Sequence, residues 1–307
     1  MGSKSQELEV RRKKETTMFQ GSIVAMITPF RDGKIDEKAF GDLIEFHITN
    51  GTDGIVPCGT TGESATLSND EHNRLVRLTI EAVKGRVPVI AGTGSNSTEE
   101  AIYFTRYAKE CGADAALLIT PYYNKPTQEG LYRHFKEIAE EVDIPLIPYN
   151  VPGRTGVNML PSTIARLAEI ENIVAVKEAS GSMTQICEIY RLCGDKIAIL
   201  SGEDAINFPI LAAGGQGMIS VTANIVPKKM GDMWDAYNRG DIASARDIHY
   251  EIFDLHQTLF IETNPIPVKT ALAMMGKCTE EMRLPLCSMS EGNRERLRNV
   301  LKGYKLI

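Results

Sequence analysis

From residue 21 onward, short apolar runs alternate with longer amphipathic stretches. The runs fall at residues 22–28, 54–58, 88–92, 115–120, 145–150, 173–177, 197–201 and 217–221. Each is rich in Val, Ile, Leu or Ala and is flanked by Gly, Pro or Asn. A run that stays apolar without alternating reads as a strand buried on both faces, the habit of parallel sheets. Between the runs the spacing turns helical. Residues 36–49 carry Phe40, Leu43, Ile44 and Ile48 on one face. Ser97 with Glu100 predicts a capping box ahead of a helix at 101–111. Residues 128–142, 161–170, 182–192 and 204–213 repeat the pattern. Past Arg239 the strand signal stops, and residues 242–260, 265–275 and 290–302 predict helices.

Eight strands, each followed by a helix, fit an α/β fold of the closed (β/α)8 TIM-barrel type. Right-handed crossovers let such units wind into a barrel or an open sheet. Eight repeats without a dinucleotide fingerprint favour the barrel. The expected division is a disordered extension at 1–17, a catalytic barrel at 18–240 and a C-terminal helical domain at 241–307. The extension is polar, with Arg11-Arg12-Lys13-Lys14 at its middle and no apolar secretory segment. Arg-Arg-Lys-Lys-Glu suits purine-rich codons of the kind that precede bacterial start sites, which points to Met18 as the natural start.

Composition narrows the function. The 307 residues include 34 basic and 40 acidic ones, for a net charge of −6, and no basic block in the body of the chain. Nucleic acid is therefore not an expected partner. No apolar run is long enough for a membrane span. The six cysteines form no CxxC pair and sit mostly in apolar stretches, so buried, reduced thiols in a cytoplasmic protein are expected. The five histidines show no HxH or HExxH spacing, so no metal site is expected.

In a barrel of this kind the chemistry gathers at the C-terminal strand ends. The sixth strand ends Val176-Lys177-Glu178. A lysine at the end of an apolar strand is desolvated, which lowers its pKa and frees the amine to attack a carbonyl. The plain alternative is a solvated lysine at a strand exit. The fifth strand ends Pro148-Tyr149-Asn150, where Tyr149 can move protons or merely cap the core. The second runs into Gly59-Thr60-Thr61-Gly62-Glu63-Ser64, small and hydroxyl-rich, able to offer amides and hydroxyls to a carboxylate or to serve as a connector. Arg154, in Val151-Pro152-Gly153-Arg154-Thr155-Gly156, suits bidentate capture of a carboxylate. Tyr122 and Tyr123 follow the fourth strand in a loop that suits a subunit contact. Gly92-Thr93-Gly94-Ser95-Asn96 lacks the lysine of a phosphate cradle.

Three of these motifs, Gly59-Thr60-Thr61-Gly62-Glu63, Tyr149 through Gly156, and Lys177-Glu178-Ala179, together resemble the pyruvate-dependent class I aldolase family that includes N-acetylneuraminate lyase. The resemblance runs from Met18 to the C-terminus. Thr60-Thr61 and Arg154 look like the family's condensing branch in lysine biosynthesis. The sister branches split or join sugar acids of the N-acetylneuraminate or 2-keto-3-deoxygluconate type. A catalytically silent binding protein on the same barrel is a further alternative, opposed by the intact lysine, tyrosine and threonine set.

The resemblance implies that Lys177 forms a Schiff base with pyruvate, and that L-aspartate 4-semialdehyde is the second substrate. It implies a proton relay of Tyr149, Thr60 and Tyr123, with Tyr123 supplied by a neighbouring subunit of a homotetramer built as a dimer of dimers. Thr61 and the backbone of Ile219 would hold the pyruvate carboxylate, and Arg154 that of the semialdehyde. No cofactor is implied. An allosteric lysine site would use Ser64, Ala65, Asn69, His72, Asn96, Glu100 and Tyr122. Asn69 departs from the family pattern, since lysine-sensitive bacterial members commonly carry histidine there.

Overall fold

The structure, a computed structural model, describes residues 19–307. The expected extension at 1–17 lies outside the described residues. Ten strands follow in chain order: β1 Gly21–Ala25, β2 Phe30–Arg31, β3 Lys34–Ile35, β4 Gly54–Val56, β5 Ile90–Gly92, β6 Ala115–Ile119, β7 Leu146–Asn150, β8 Ala175–Glu178, β9 Ala198–Ser201 and β10 Gly217–Ser220. Eight of them form one sheet in the order β4-β1-β10-β9-β8-β7-β6-β5. A parallel bridge from Ile55 to Val89 links β4 to the residue before β5, so the order closes on itself as a (β/α)8 barrel. These strands coincide with the eight apolar runs. The small hairpin β2–β3 was not marked by any run. It turns on Asp32 and Gly33, both at positive φ (53° and 77°), the Asp-Gly pairing that suits a two-residue hairpin.

The described residues form two compact units. One comprises Ile90–Ile219 with the start of β1. In it, strands β5 to β9 alternate with helices Thr98–Cys111, Gln128–Glu141, Pro161–Leu167, Met183–Cys193 and Asn207–Ala212. Alternation along each strand sends one set of side chains towards these helices. Leu118, Leu146, Val176 and Ile199 thus meet Phe135, Ile138, Ile164, Ile186 and Ile189 in one buried cluster. Burial of this kind contributes about 25 cal/mol per Å² of apolar surface, which makes the cluster the main stabilising element of the unit.

Local signals set the helix starts. Thr127 and Ser182 accept from the backbone N–H of Gly130 and Gln185. Ser97 likewise accepts from Glu100, but the expected capping box is only half present. The Glu100 carboxylate instead takes the hydroxyl of Ser95. The reciprocal box occurs elsewhere, between Ser68 and Glu71.

The other unit comprises Ser22–Val89 and Ser220–Ile307. Its helices include Glu37–Thr49, Asn69–Val83, Pro227–Asn238, Ile266–Met274 and Glu291–Gly303. The helices Asn69–Val83 and Pro227–Asn238 were not among those read from periodicity. The stretch expected as one helix over 242–260 is broken at Ile252 (φ −103°, ψ 12°) into Ile242–Glu251 and Phe253–Thr258. Of the six cysteines, which are all free, Cys58 and Cys193 are buried, while Cys187 and Cys287 are exposed, so the expectation of buried thiols holds only in part.

A buried ion pair ties this unit together. Lys269 Nζ lies 2.5 Å from Glu63 Oε1, with both side chains essentially inaccessible (0% and 1%). Burial pulls the Lys269 pKa below its ordinary value, and the Glu63 carboxylate opposes that shift. Removing one partner strands the other as an uncompensated charge. Lys269→Met is therefore expected to lower the unfolding free energy by about 3–5 kcal/mol in urea denaturation. Adding Glu63→Gln should restore part of the loss. A single variant as stable as the parent would contradict this account of the pair.

Candidate active site

Three strand ends of the Ile90–Ile219 unit gather candidate residues of that unit. Tyr149 on β7 and Lys177 on β8 are register partners, as are Asn150 and Glu178. Lys177 is 6% exposed, and its Nζ sits 4.1 Å from the centroid of the Tyr149 ring. Burial lowers the amine pKa to about 7 from the ordinary 10.5. Asp204, itself buried, opposes the shift, and Arg154 adds to it. The amine is thus substantially neutral near pH 7, which is what attack on a carbonyl requires.

The space for its stem comes from Gly202, just past β9. A Cβ placed there would stand 2.9 Å from Lys177 Cε and 2.8 Å from the Ala179 Cβ. The Gly202 N–H bonds the Glu178 carbonyl at 2.8 Å, which keeps this backbone in place.

Residue alternation turns Glu178 away from Lys177 and into a polar network. Its carboxylate is fully buried and accepts from Asn150 Nδ2 (3.0 Å), Gln185 Nε2 (3.2 Å) and the Ser180 N–H (2.7 Å). Asn150 also accepts from the Met159 N–H and donates to Asn158. The network cross-links the ends of β7 and β8, directly behind Tyr149 and Lys177. Sequence reasoning quoted Glu178 and Asn150 only as motif letters. The available signal was an acid closing an apolar strand, which survives burial only with several donors.

The remaining residues of this unit fall as follows. Arg154 is exposed on the short helix Pro152–Thr155. Tyr123 is 90% exposed at φ 72°, so its ring is not packed on the buried Lys177 of its own chain. Ile219 is buried on β10. Asn96 donates to the Tyr122 carbonyl at 3.2 Å.

In the other unit, β4 leads into the Thr60-Thr61 turn. Gly62 and Glu63 donate backbone N–H bonds to Gly59 and Thr60 (3.0 and 3.1 Å), and Thr28 Oγ1 donates to the Gly62 carbonyl at 2.7 Å. Glu63 takes a left-handed φ of 55° and is held there by Lys269 and by the Arg283 N–H (3.2 Å). Thr61 is buried, and its hydroxyl oxygen accepts from Asn264 Nδ2 at 3.0 Å. Neither Lys269 nor Asn264 was singled out in the sequence. Ser64 and Ala65 occupy the following turn, Asn69 opens the helix Asn69–Val83, and His72 is buried in its first turn. Among the described residues no group of His, Cys, Asp and Glu is placed to hold a metal ion, and no helix is long and apolar enough to cross a membrane.

A closed β/α barrel with a desolvated lysine at a strand end defines the class of barrel proteins equipped for imine chemistry. Comparison narrows the class. The sequence pattern of the dihydrodipicolinate synthetase family matches residues 18–304. A 4-hydroxy-tetrahydrodipicolinate synthase of Thermodesulfovibrio yellowstonii is 63% identical over 290 residues, 94% of this chain and 100% of that protein. The crystal structure of dihydrodipicolinate synthase from Aquifex aeolicus superposes with a TM-score of 0.93 at 53% identity, covering 94% of this chain and 99% of that one. That of the Acinetobacter baumannii enzyme, complexed with pyruvate, has a TM-score of 0.92 at 50% identity, covering 94% and 99%. The chain belongs to the dihydrodipicolinate synthetase family.

The lowered Lys177 pKa has two consequences for pH. Imine formation with pyruvate should rise with pH to a plateau, with its midpoint near 7. A midpoint at the ordinary lysine value would refute the desolvated amine. Below about pH 7 the amine is protonated in folded and unfolded chains alike, and the fold bears the full cost of burying an ammonium. Between about 7 and 10.5 only the unfolded chain keeps the proton, so stability from this group rises with pH. Lys177→Met should therefore raise Tm more at about pH 6 than at about pH 9. Separately, Gly202→Ala should cut imine formation by roughly a hundred-fold through displacement of the lysine stem. Undiminished borohydride trapping in that variant would show that the stem has other room.

Proposed function

We propose that the chain is a 4-hydroxy-tetrahydrodipicolinate synthase that condenses pyruvate with L-aspartate 4-semialdehyde in lysine biosynthesis. The observation that carries the proposal is the buried Lys177 amine, with its pKa near 7, in a chain 63% identical to a named synthase. Lys177 Nζ attacks C2 of pyruvate, and loss of water leaves an imine. The protonated imine nitrogen draws electrons, so the pyruvate methyl loses a proton and becomes an enamine carbon. That carbon attacks the aldehyde carbon of the semialdehyde, whose oxygen gains a proton. The semialdehyde amine then adds to C2 and closes the ring, and the C2–Nζ bond breaks to release Lys177. The imine nitrogen is the electron sink, so the chemistry asks for no metal or organic cofactor.

Within this proposal Tyr149, Thr60 and Tyr123 relay protons, with Tyr123 acting from a neighbouring subunit. The exposure of Tyr123 supports a role across an interface, since an exposed aromatic ring is a natural subunit contact. Thr61 and the Ile219 backbone take the pyruvate carboxylate, and Arg154 takes the semialdehyde carboxylate. The assembly is a cytoplasmic homotetramer, and the division into 18–240 and 241–307 is part of the same reading. The lysine-binding roles of Ser64, Ala65, His72, Asn96, Glu100 and Tyr122 belong to it too, with Asn69 as the departure.

Borohydride reduction with pyruvate, followed by peptide mapping, tests the covalent step. A single reduced-pyruvate adduct on Lys177 is expected, and an adduct elsewhere would overturn the assignment. A coupled assay offers aspartate semialdehyde, N-acetylneuraminate and 2-keto-3-deoxygluconate in turn, with L-lysine added as a further arm. Turnover with a sugar acid alone would make the chain a sister aldolase.

A further inference from the structure

Asn264 and Thr61 are 203 residues apart in the chain, yet the amide nitrogen of one lies 3.0 Å from the hydroxyl oxygen of the other. Both are buried, at 5% and 3% exposure. The direction of this bond follows from the amide's placement, with Nδ2 rather than Oδ1 facing Thr61. An amide –NH₂ group only donates, so Thr61 Oγ1 is the acceptor. A threonine hydroxyl carries one proton. With Asn264 donating to the oxygen, that proton is turned away from the amide. Among the described residues it is donated to no protein acceptor.

The turn that carries Thr61 is gripped at two points by one segment. Asn264 holds the hydroxyl at residue 61, and Lys269, on the helix Ile266–Met274, holds the Glu63 carboxylate. The Arg283 N–H adds a second donor to Glu63. A pair of anchors two residues apart restrains both the position of the turn and its rotation. A hydroxyl that is buried, restrained and already engaged as an acceptor keeps its proton free to donate.

We propose that Asn264 is a positioning residue for capture of the ketoacid. It holds the Thr61 hydroxyl with its proton outward, as a pre-oriented donor for the substrate carboxylate. The role rests on the reading of Thr61 as a carboxylate ligand. Orientation set before binding removes part of the ordering cost that a freely rotating hydroxyl would add on binding.

The test is a double-mutant cycle on the full chain, reading KM for pyruvate and kcat separately. Asn264→Asp replaces the donor by an acceptor and turns the Thr61 proton inward. KM for pyruvate should rise roughly ten- to hundred-fold, the size of one lost hydrogen bond to a charged group, with kcat falling far less. Asn264→Leu, with similar volume and no donor, frees the hydroxyl to rotate and should give a smaller rise. It carries the test if the aspartate variant does not fold. In a Thr61→Val background neither change should raise KM further. A full effect that persists in that background would mean repulsion or general distortion, and would overturn the proposal. So would a folded Asn264→Leu with the parental KM. If Thr61→Val alone leaves KM for pyruvate unchanged, the fault lies with the assignment of Thr61 itself.

Discussion

A lysine amine attacks a carbonyl only when it carries no proton, and in this chain burial supplies that condition. Water stabilises an ammonium strongly, and Lys177 has almost none around it. The same desolvation that readies the amine destabilises the fold whenever the group is charged. The surrounding unit must therefore hold the position firmly. It does so with the apolar cluster behind β8, with the space over Gly202, and with the opposite charge of Asp204.

The strand that delivers Lys177 alternates three environments within three residues. Val176 packs into the helix-facing cluster, Lys177 faces the Tyr149 ring, and Glu178 turns into a web of amide donors. Glu178 neutralises no cation in that web. It accepts hydrogen bonds that join β7, β8 and the segments after them, so its stabilisation is directional. An interaction of that kind holds strand ends in register more tightly than apolar contact, which tolerates sliding.

The Thr60-Thr61 turn follows a different logic. Its backbone is held in a left-handed conformation at Glu63, and the restraint comes from charge, through Lys269. Buried pairs of this sort add little net stability over an apolar pair, but separating the partners is costly, which ties the turn to the position of Lys269. For a turn proposed to meet an anion, a single arrangement is the useful property.

Much of the barrel was legible in the linear pattern, because strands buried on both faces leave unbroken apolar runs and packed helices leave a period. The hairpin of Phe30 to Ile35 was too short to show either signal, and the break at Ile252 is a local backbone event without a glycine or proline to mark it. Lys177, Tyr149 and the threonine turn could be picked out because they punctuate strand ends. Lys269 and Asn264 could not, since each acts on a partner more than 200 residues away.

The order and spacing of residues by themselves determined the number of barrel strands, their parallel character, and a lysine at the end of the sixth. Tertiary structure alone decided that this lysine is half-neutral near pH 7, that Glu178 is buried among amides, and that Asn264 reaches the Thr61 hydroxyl. The reason is physical. A strand's burial pattern is a property of consecutive residues, whereas the desolvation of a charge and the direction of a hydrogen bond depend on atoms that only folding brings together.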